Sequence, residues 1–213
     1  MNGFEPIDLI AGWDCYDWRN AQTILRHAHP EEWADLISIL GSYRLLHSHL
    51  TAKGKGNKSA IAAAIDSRFY NRGWIEHKFA TSFVVDGHQI DSPTHSVDCF
   101  RGKVAVELEW NNKDPFFDRD LNNFRLLFDL RICDTGVIVT RATSLQVWLK
   151  ANHKLFGKQP ETYGVSTTHM DKLTPKIVGG GAGGCPVFVF AMREELYHDD
   201  SQNPVVMDDN LLI

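Results

Sequence analysis

Residues 104–110 read Val-Ala-Val-Glu-Leu-Glu-Trp, an alternation that fixes what this segment must become. Side chains on a strand point to opposite faces in turn. Val104, Val106, Leu108 and Trp110 therefore share one face, and Ala105, Glu107, Glu109 and Asn111 share the other. The apolar face pins the strand to a core. The opposite face aims two carboxylates into one space, with Cβ atoms ~6–7 Å apart. Asp98 lies on the preceding segment. A turn at Arg101-Gly102 would fold that segment back as a hairpin and bring Asp98 beside Glu107.

Helical and strand signals surround this segment. Trp13, Tyr16 and Trp18 suggest a short packed element in a mixed, aromatic first 30 residues. Pro30-Glu31-Glu32 starts a helix with acids in its first turn, and Trp33, Leu36, Ile37, Leu40 and Tyr43 follow at helical spacing. The Gly/Lys-rich run 51–58 breaks the chain, and a second helix is expected from Ser59 to about Phe79. Phe83-Val84-Val85-Asp86-Gly87-His88 reads as a strand and turn. Asp118 or a neighbour caps a helix through Leu121, Phe124, Leu127 and Phe128. Residues 136–140 form a buried strand, 143–156 a helix, 157–184 a long irregular region, and 186–190 a last core strand. The expected fold is α/β, a mixed central β-sheet flanked by helices. One domain spans 1–213: a mainly helical elaboration over 1–80, a catalytic core with a recognition loop over 81–192, and an acidic tail over 193–213.

Composition narrows the function classes. Of 213 residues, 43% are hydrophobic and 23% charged, which suits an ordinary core. No apolar run is long enough for a membrane span, and no secretory signal is visible, so a cytoplasmic protein is expected. Cys15, Cys99, Cys133 and Cys185 are scattered, with no paired spacing for zinc, and are expected to be reduced thiols. His27/His29 and His47/His49 are poor chelators if helical, because i and i+2 point apart. A net charge of −5 argues against non-specific coating of nucleic acid, but leaves room for a local basic cleft. Glu194, Glu195, Asp199, Asp200, Asp208 and Asp209 are expected to be solvated.

Converging carboxylates repel and raise one another's pKa, and a divalent cation removes the conflict. Hard oxygen ligands favour magnesium over zinc. Such a centre suits phosphodiester hydrolysis. The same alternation also fits an edge strand with a solvated acidic face, so the residues alone leave both readings open.

The pattern Asp98–x8–Glu107–x–Glu109 resembles the active-site signature of the PD-(D/E)xK nucleases, with Glu109 where a lysine usually stands. Residues 104–125, from the acidic strand through Asn-Asn-Lys-Asp-Pro-Phe-Phe-Asp-Arg-Asp-Leu-Asn-Asn-Phe-Arg, resemble the type II restriction endonucleases of the BglII/BstYI group. Residues 137–141, 166–173 and 179–186 fit its downstream strand, arginine and loop. The resemblance implies a restriction-endonuclease-like core with added N-terminal helices. It also implies a homodimer that cuts palindromic double-stranded DNA with Mg2+, Mn2+ being able to substitute, at a site centred on GATC.

Under that resemblance Asp98 and Glu107 are metal ligands. Glu109 stands in the lysine's place, able to take a proton from the attacking water. Glu76, expected on the second helix, is a further candidate ligand. Asn111, Asn112 and Arg119 are candidates for DNA contact, since Asn pairs with adenine and Arg with guanine in the major groove. Ser166, Thr167, Thr168, His169 and Lys172 are candidates for base readout from the long loop. Lys113 shares the strand parity of Glu109 but is expected to be solvated. Lys53, Lys55 and Lys58 could track phosphates or form a linker. Rival readings are a structure-selective or repair nuclease, a DNA-binding protein without catalysis, and a metal-independent interaction module.

Overall fold

The structure is a computed structural model that describes residues 4–52, 58–91 and 94–202. Lys53, Lys55, Asp208 and Asp209 lie outside the described residues. In chain order the strands and helices are β1 (Ile7–Asp8), β2 (Trp13–Trp18), α1 (Ala21–Ala28), α2 (Pro30–Ser42), β3 (Leu45–Leu46), α3 (His47–Thr51), α4 (Ala60–Tyr70), β4 (Ile75–Lys78), β5 (Ser82–Val85), β6 (His88–Asp91), β7 (Ser96–Arg101), β8 (Val104–Leu108), α5 (Pro115–Asp129), β9 (Thr135–Arg141), α6 (Thr143–Ala151), α7 (Met170–Val178), β10 (Val187–Met192) and β11 (Tyr197–His198).

Seven strands form one mixed sheet in the order β1-β2-β10-β9-β8-β7-β4. The central strands β8, β9 and β10 run parallel and are buried along their whole length, as strands covered on both faces must be. Antiparallel strands close both sides: β2 on β10, and β7 then β4 beyond β8. Val106, Leu108, Val139 and Phe190 face a core with apolar residues of α1, α2, α4 and α6. Ala105, Ile138 and Val189 face a second core with α5 and α7. The result is the expected α/β sandwich of helices around a mixed sheet.

Several expected boundaries move. Residues 13–18, placed in a helical elaboration, pair with β10 inside the main sheet. The second helix ends at Tyr70 instead of continuing to Phe79. Gly73 takes φ +82, a left-handed turn that stops the helix and turns the chain into β4. Glu76 therefore sits on a strand. The α5 helix starts at Pro115, one turn before Asp118, because proline tolerates the first helical position, where its missing N–H costs nothing. The 157–184 region contains α7, so it is no structureless loop.

The strand and turn at 83–88 become the β5–β6 hairpin, with Asp86 at φ +50 and Gly87 at φ +79. This turn type matches the twist of its strands. The acidic tail is partly docked. Asp200 is 6% exposed, and its carboxylate accepts from the Ser48 N–H at 2.8 Å and hydroxyl at 2.6 Å. All four cysteines are free and buried.

Candidate active site

The β7–β8 hairpin brings the first two acids together. Cys99 pairs with Val106 and Phe100 with Ala105, so continuing the register sets Asp98 opposite Glu107. The hairpin's corner is tied down by Arg101, whose guanidinium reaches Glu31 and Asp35 of α2 at 2.9 and 2.8 Å. Asp98 turns its Oδ2 to the Leu108 N–H at 2.9 Å, a bond across the two strands. Glu107 is fully buried, and neither of its carboxylate oxygens has a hydrogen-bond partner. An ionised carboxylate cannot be left so in a low-dielectric interior. Burial, then the charges of Asp120 and Asp98, push its pKa well above the usual carboxylate range.

Glu109 continues the same face just past the strand end. Its N–H bonds Val139 O at 2.9 Å, and Thr140 Oγ1 donates to its carbonyl at 2.9 Å, so β9 fixes its backbone. Its side chain is held between Asn112 Nδ2, at 2.8 Å, and Arg119 Nη2, at 3.3 Å. Burial and the neighbouring Asp120 push the Glu109 carboxyl up to about 9.

Two further acids complete the cluster, and both escape the strand pattern. Asp120 of α5 is fully buried. Its Oδ1 takes Nε and Nη2 of Arg119 at 2.9 and 2.8 Å, while its Oδ2 has no partner. Burial pushes it up to about 6 against the pull of Arg119. Asp66 of α4 is 1% exposed, pairs with Lys58, and is likewise pushed up to about 6 by burial. The clue in the sequence is position: Asp120 lies among Phe117, Leu121 and Phe124, and Asp66 beside Ile65 and Phe69, acids inside buried stripes.

Beside these groups lies a cleft of about 550 Å3 lined by Lys58, Asp66, Glu76, Asp98, Glu109 and Arg119, with Glu107 and Asp120 buried behind its wall. Glu76 is exposed on β4 at its rim. Asn111 and Asn112 also line the cleft, and Asn111 Oδ1 is buried with no partner. Arg119 stacks over Phe116 at 4.3 Å and salt-bridges two of the acids. Lys58 sits 5.6 Å from the Tyr70 ring centroid on the opposite wall. Lys113 is exposed and forms a bridge to Thr167.

The residues expected in a base-reading loop divide. Ser166 is exposed and Lys172 partly so, on α7, while Thr167, Thr168 and His169 are buried. Direct base contact by those three would need the segment to open. The reason for their burial is Arg141, which is fully buried and, among the described residues, has no carboxylate as an ion-pair partner. Its Nη2 donates to Thr167 Oγ1 at 2.8 Å and to Thr168 O at 2.7 Å, and its guanidinium lies 5.4 Å from the Trp110 ring and 5.9 Å from Tyr163.

Among the described residues no three His, Cys, Asp or Glu side chains stand gathered in a ready coordination shell. The donor set nonetheless suits a hard divalent cation. The cluster offers carboxylate oxygens, and Glu107 keeps two buried oxygens without a donor.

A mixed sheet carrying a hairpin of acids at the carboxyl end of its central strands, with helices on both faces, defines a nuclease of the restriction-endonuclease-like class. The profile described as Restriction endonuclease BglII/BglIII matches residues 13–192, and the chain belongs to that family. No curated relative matches the chain. Family membership implies DNA as the ligand, and no helix among the described residues is long and apolar enough to cross a membrane.

Proposed function

We propose that the protein is a cytoplasmic type II restriction endonuclease that acts as a homodimer. It makes metal-dependent double-strand cuts in DNA at a short palindromic site centred on GATC. The observation that carries this reading is Glu107: a fully buried carboxylate with both oxygens unpartnered, beside Asp98, in a chain of the BglII/BglIII family.

Asp98 and Glu107 would hold Mg2+, or Mn2+ in its place, with Glu76 at the rim able to contribute through its side chain. The cation supplies Lewis-acid polarisation of the scissile phosphate and a more acidic water. In its ionised form Glu109 would accept a proton from the attacking water; burial and Asp120 raise its carboxyl up to about 9, so without a cation it holds its proton at neutral pH. Asn112 holds Glu109 in place. Arg119, on the cleft wall, would bind a backbone phosphate of the substrate. Lys58 brings, from the opposite wall, the cation that the motif's usual lysine would supply. Asn111, Ser166 and Lys172 lie where they can meet the duplex. Thr167, Thr168 and His169 shape the segment that carries Ser166.

Incubating the protein with unmethylated plasmid and bacteriophage DNA, with Mg2+ or with chelator, tests the reading beside Glu107→Ala. Discrete fragments that need metal and vanish in the variant are expected, and their ends give the site. A smear would point to a structure-selective nuclease. Binding without any cutting on sequence-diverse DNA would point to a non-catalytic protein.

A further inference from the structure

Glu109 and the 164–169 segment are 55 or more positions apart in the chain yet belong to one hydrogen-bonded unit. The Thr168 N–H donates to Asn112 O at 2.9 Å, and the Asn112 N–H donates to Thr168 Oγ1 at 3.2 Å. The Asp114 N–H donates to Ser166 O at 2.9 Å, and Lys113 bridges Thr167. Residues 112–114 and 166–168 thus pair like a short antiparallel ladder. On one side of that ladder, the Asn112 side chain donates to Glu109 at 2.8 Å. On the other, Arg141 Nε and Nη2 bind Thr168 O at 3.1 and 2.7 Å, and Thr167 Oγ1 donates to Gly164 O at 2.7 Å.

Because β9 fixes only the backbone of Glu109, its side-chain direction depends on its partners Asn112, Arg119 and Asp120. Arg119 is held within α5, by buried Asp120 and by stacking on Phe116. Asn112 is held from the 166–168 side by Thr168, which is itself fully buried. The exposed tip of the segment, Val165 at 70% exposure and Ser166, is where duplex DNA would press. The guanidinium of Arg141 holds the segment from behind, through Thr168 O and Thr167 Oγ1.

Resting on the nuclease reading above, we propose that Thr168 is a positioning residue for Glu109, acting through Asn112. DNA engaged at the 164–169 segment is thereby coupled to the direction of the catalytic carboxylate. Two bonds join Thr168 to Asn112, the Thr168 N–H to Asn112 O and the Asn112 N–H to the Thr168 hydroxyl, and the side chain supplies the second. Thr168→Val removes it at nearly constant volume, and Thr168→Ser restores it.

Two readouts on the full chain test this. In the metal-free protein, the Asn112 side-chain amide resonance is expected to move in Thr168→Val and to return in Thr168→Ser. In steady-state cleavage of the duplex that wild type cuts, Thr168→Val is expected to lower kcat by about 10-fold or more, with KM changed by less than about 2-fold, because a misdirected base costs rate and not ground-state binding. Thr168→Ser recovers most of kcat. Thr168→Ala carries the same expectation should the valine variant fail to fold. An unmoved amide overturns the proposal. So does an unchanged kcat, or a raised KM at constant kcat, which would make Thr168 a DNA contact. Should wild type cut no DNA, the nuclease reading falls, and the amide resonance alone decides the linkage.

Discussion

At the residue scale, the site is a set of acids that the free protein can barely keep together. Arg119 and Lys58 hold it, each paired with an acid that is 1% exposed or less. Of the two, Lys58 projects from the start of α4 onto the cleft wall and lends its charge to Asp98 as well as Asp66. Lys58→Ala is therefore expected to lower kcat for DNA cleavage by about 10–100-fold, the scale of one lost electrostatic stabiliser. Single-turnover cleavage at saturating DNA measures it, and a wild-type rate would leave Lys58 as a partner for Asp66 alone. Asp98, Glu107 and Glu109 were legible from sequence because a strand's period of two sorts side chains without any partner being known. Asp66 and Asp120 were not, because helical acids look solvated until the sheet behind them is in place, and Lys58 was read only as a phosphate-tracking or linker lysine.

At the element scale, α5 sets the depth of the cleft, since it carries Arg119 and Asp120. Its seat on the sheet depends on Gly136 of β9. A Cβ there would lie 2.4 Å from the ring of Phe124, which is fully buried, so the ring would have to shift within its core. Gly136→Ala should destabilise the protein by about 1–3 kcal/mol through overpacking. Urea unfolding of the metal-free protein checks this, and unchanged stability would mean that Phe124 has room to turn. Helix and strand types in the sheet core were readable from periodicity. The end of α4 was misread because Trp74 and Ile75 continue an apolar texture past Gly73, and only the positive φ shows the break. The 166–169 segment was misread for the opposite reason. Serine and threonine look like loop, and the arginine that buries them is 26–27 positions away.

At the scale of the whole molecule, the acids make stability depend on pH. Asp66, Asp120 and Glu109 hold their protons more tightly folded than unfolded, with values rising from 3.8 to about 6 for the aspartates and from 4.5 to about 9 for Glu109. Groups with raised values favour the fold while protonated. Their contribution is present below the unfolded values and is lost as pH rises through the folded ones. The chelator-treated protein should therefore lose thermal stability as pH climbs from 4.5 to 9. Added Mg2+ should flatten the slope by binding only the folded, ionised cluster. A melting temperature independent of pH in chelator, measured by scanning calorimetry, would show that the acids are solvated.

The β5–β6 hairpin has a different kind of consequence. Val84 is 72% and Ile90 54% exposed, so neither face of this ribbon contributes to a core. Its base is closed by Thr94, whose hydroxyl donates to Phe79 O at 2.7 Å, and by the Lys78–Ser96 pair of β4 and β7. The chain leaves the sheet at Lys78 and returns beside its point of departure. The β5–β6 hairpin is an appendix in the topological sense: its length can grow, shrink or vanish while Glu76 and Asp98 keep their places. Descendants of this fold can rebuild that excursion freely, as a handle for whatever lies alongside, without renegotiating the chemistry at its root.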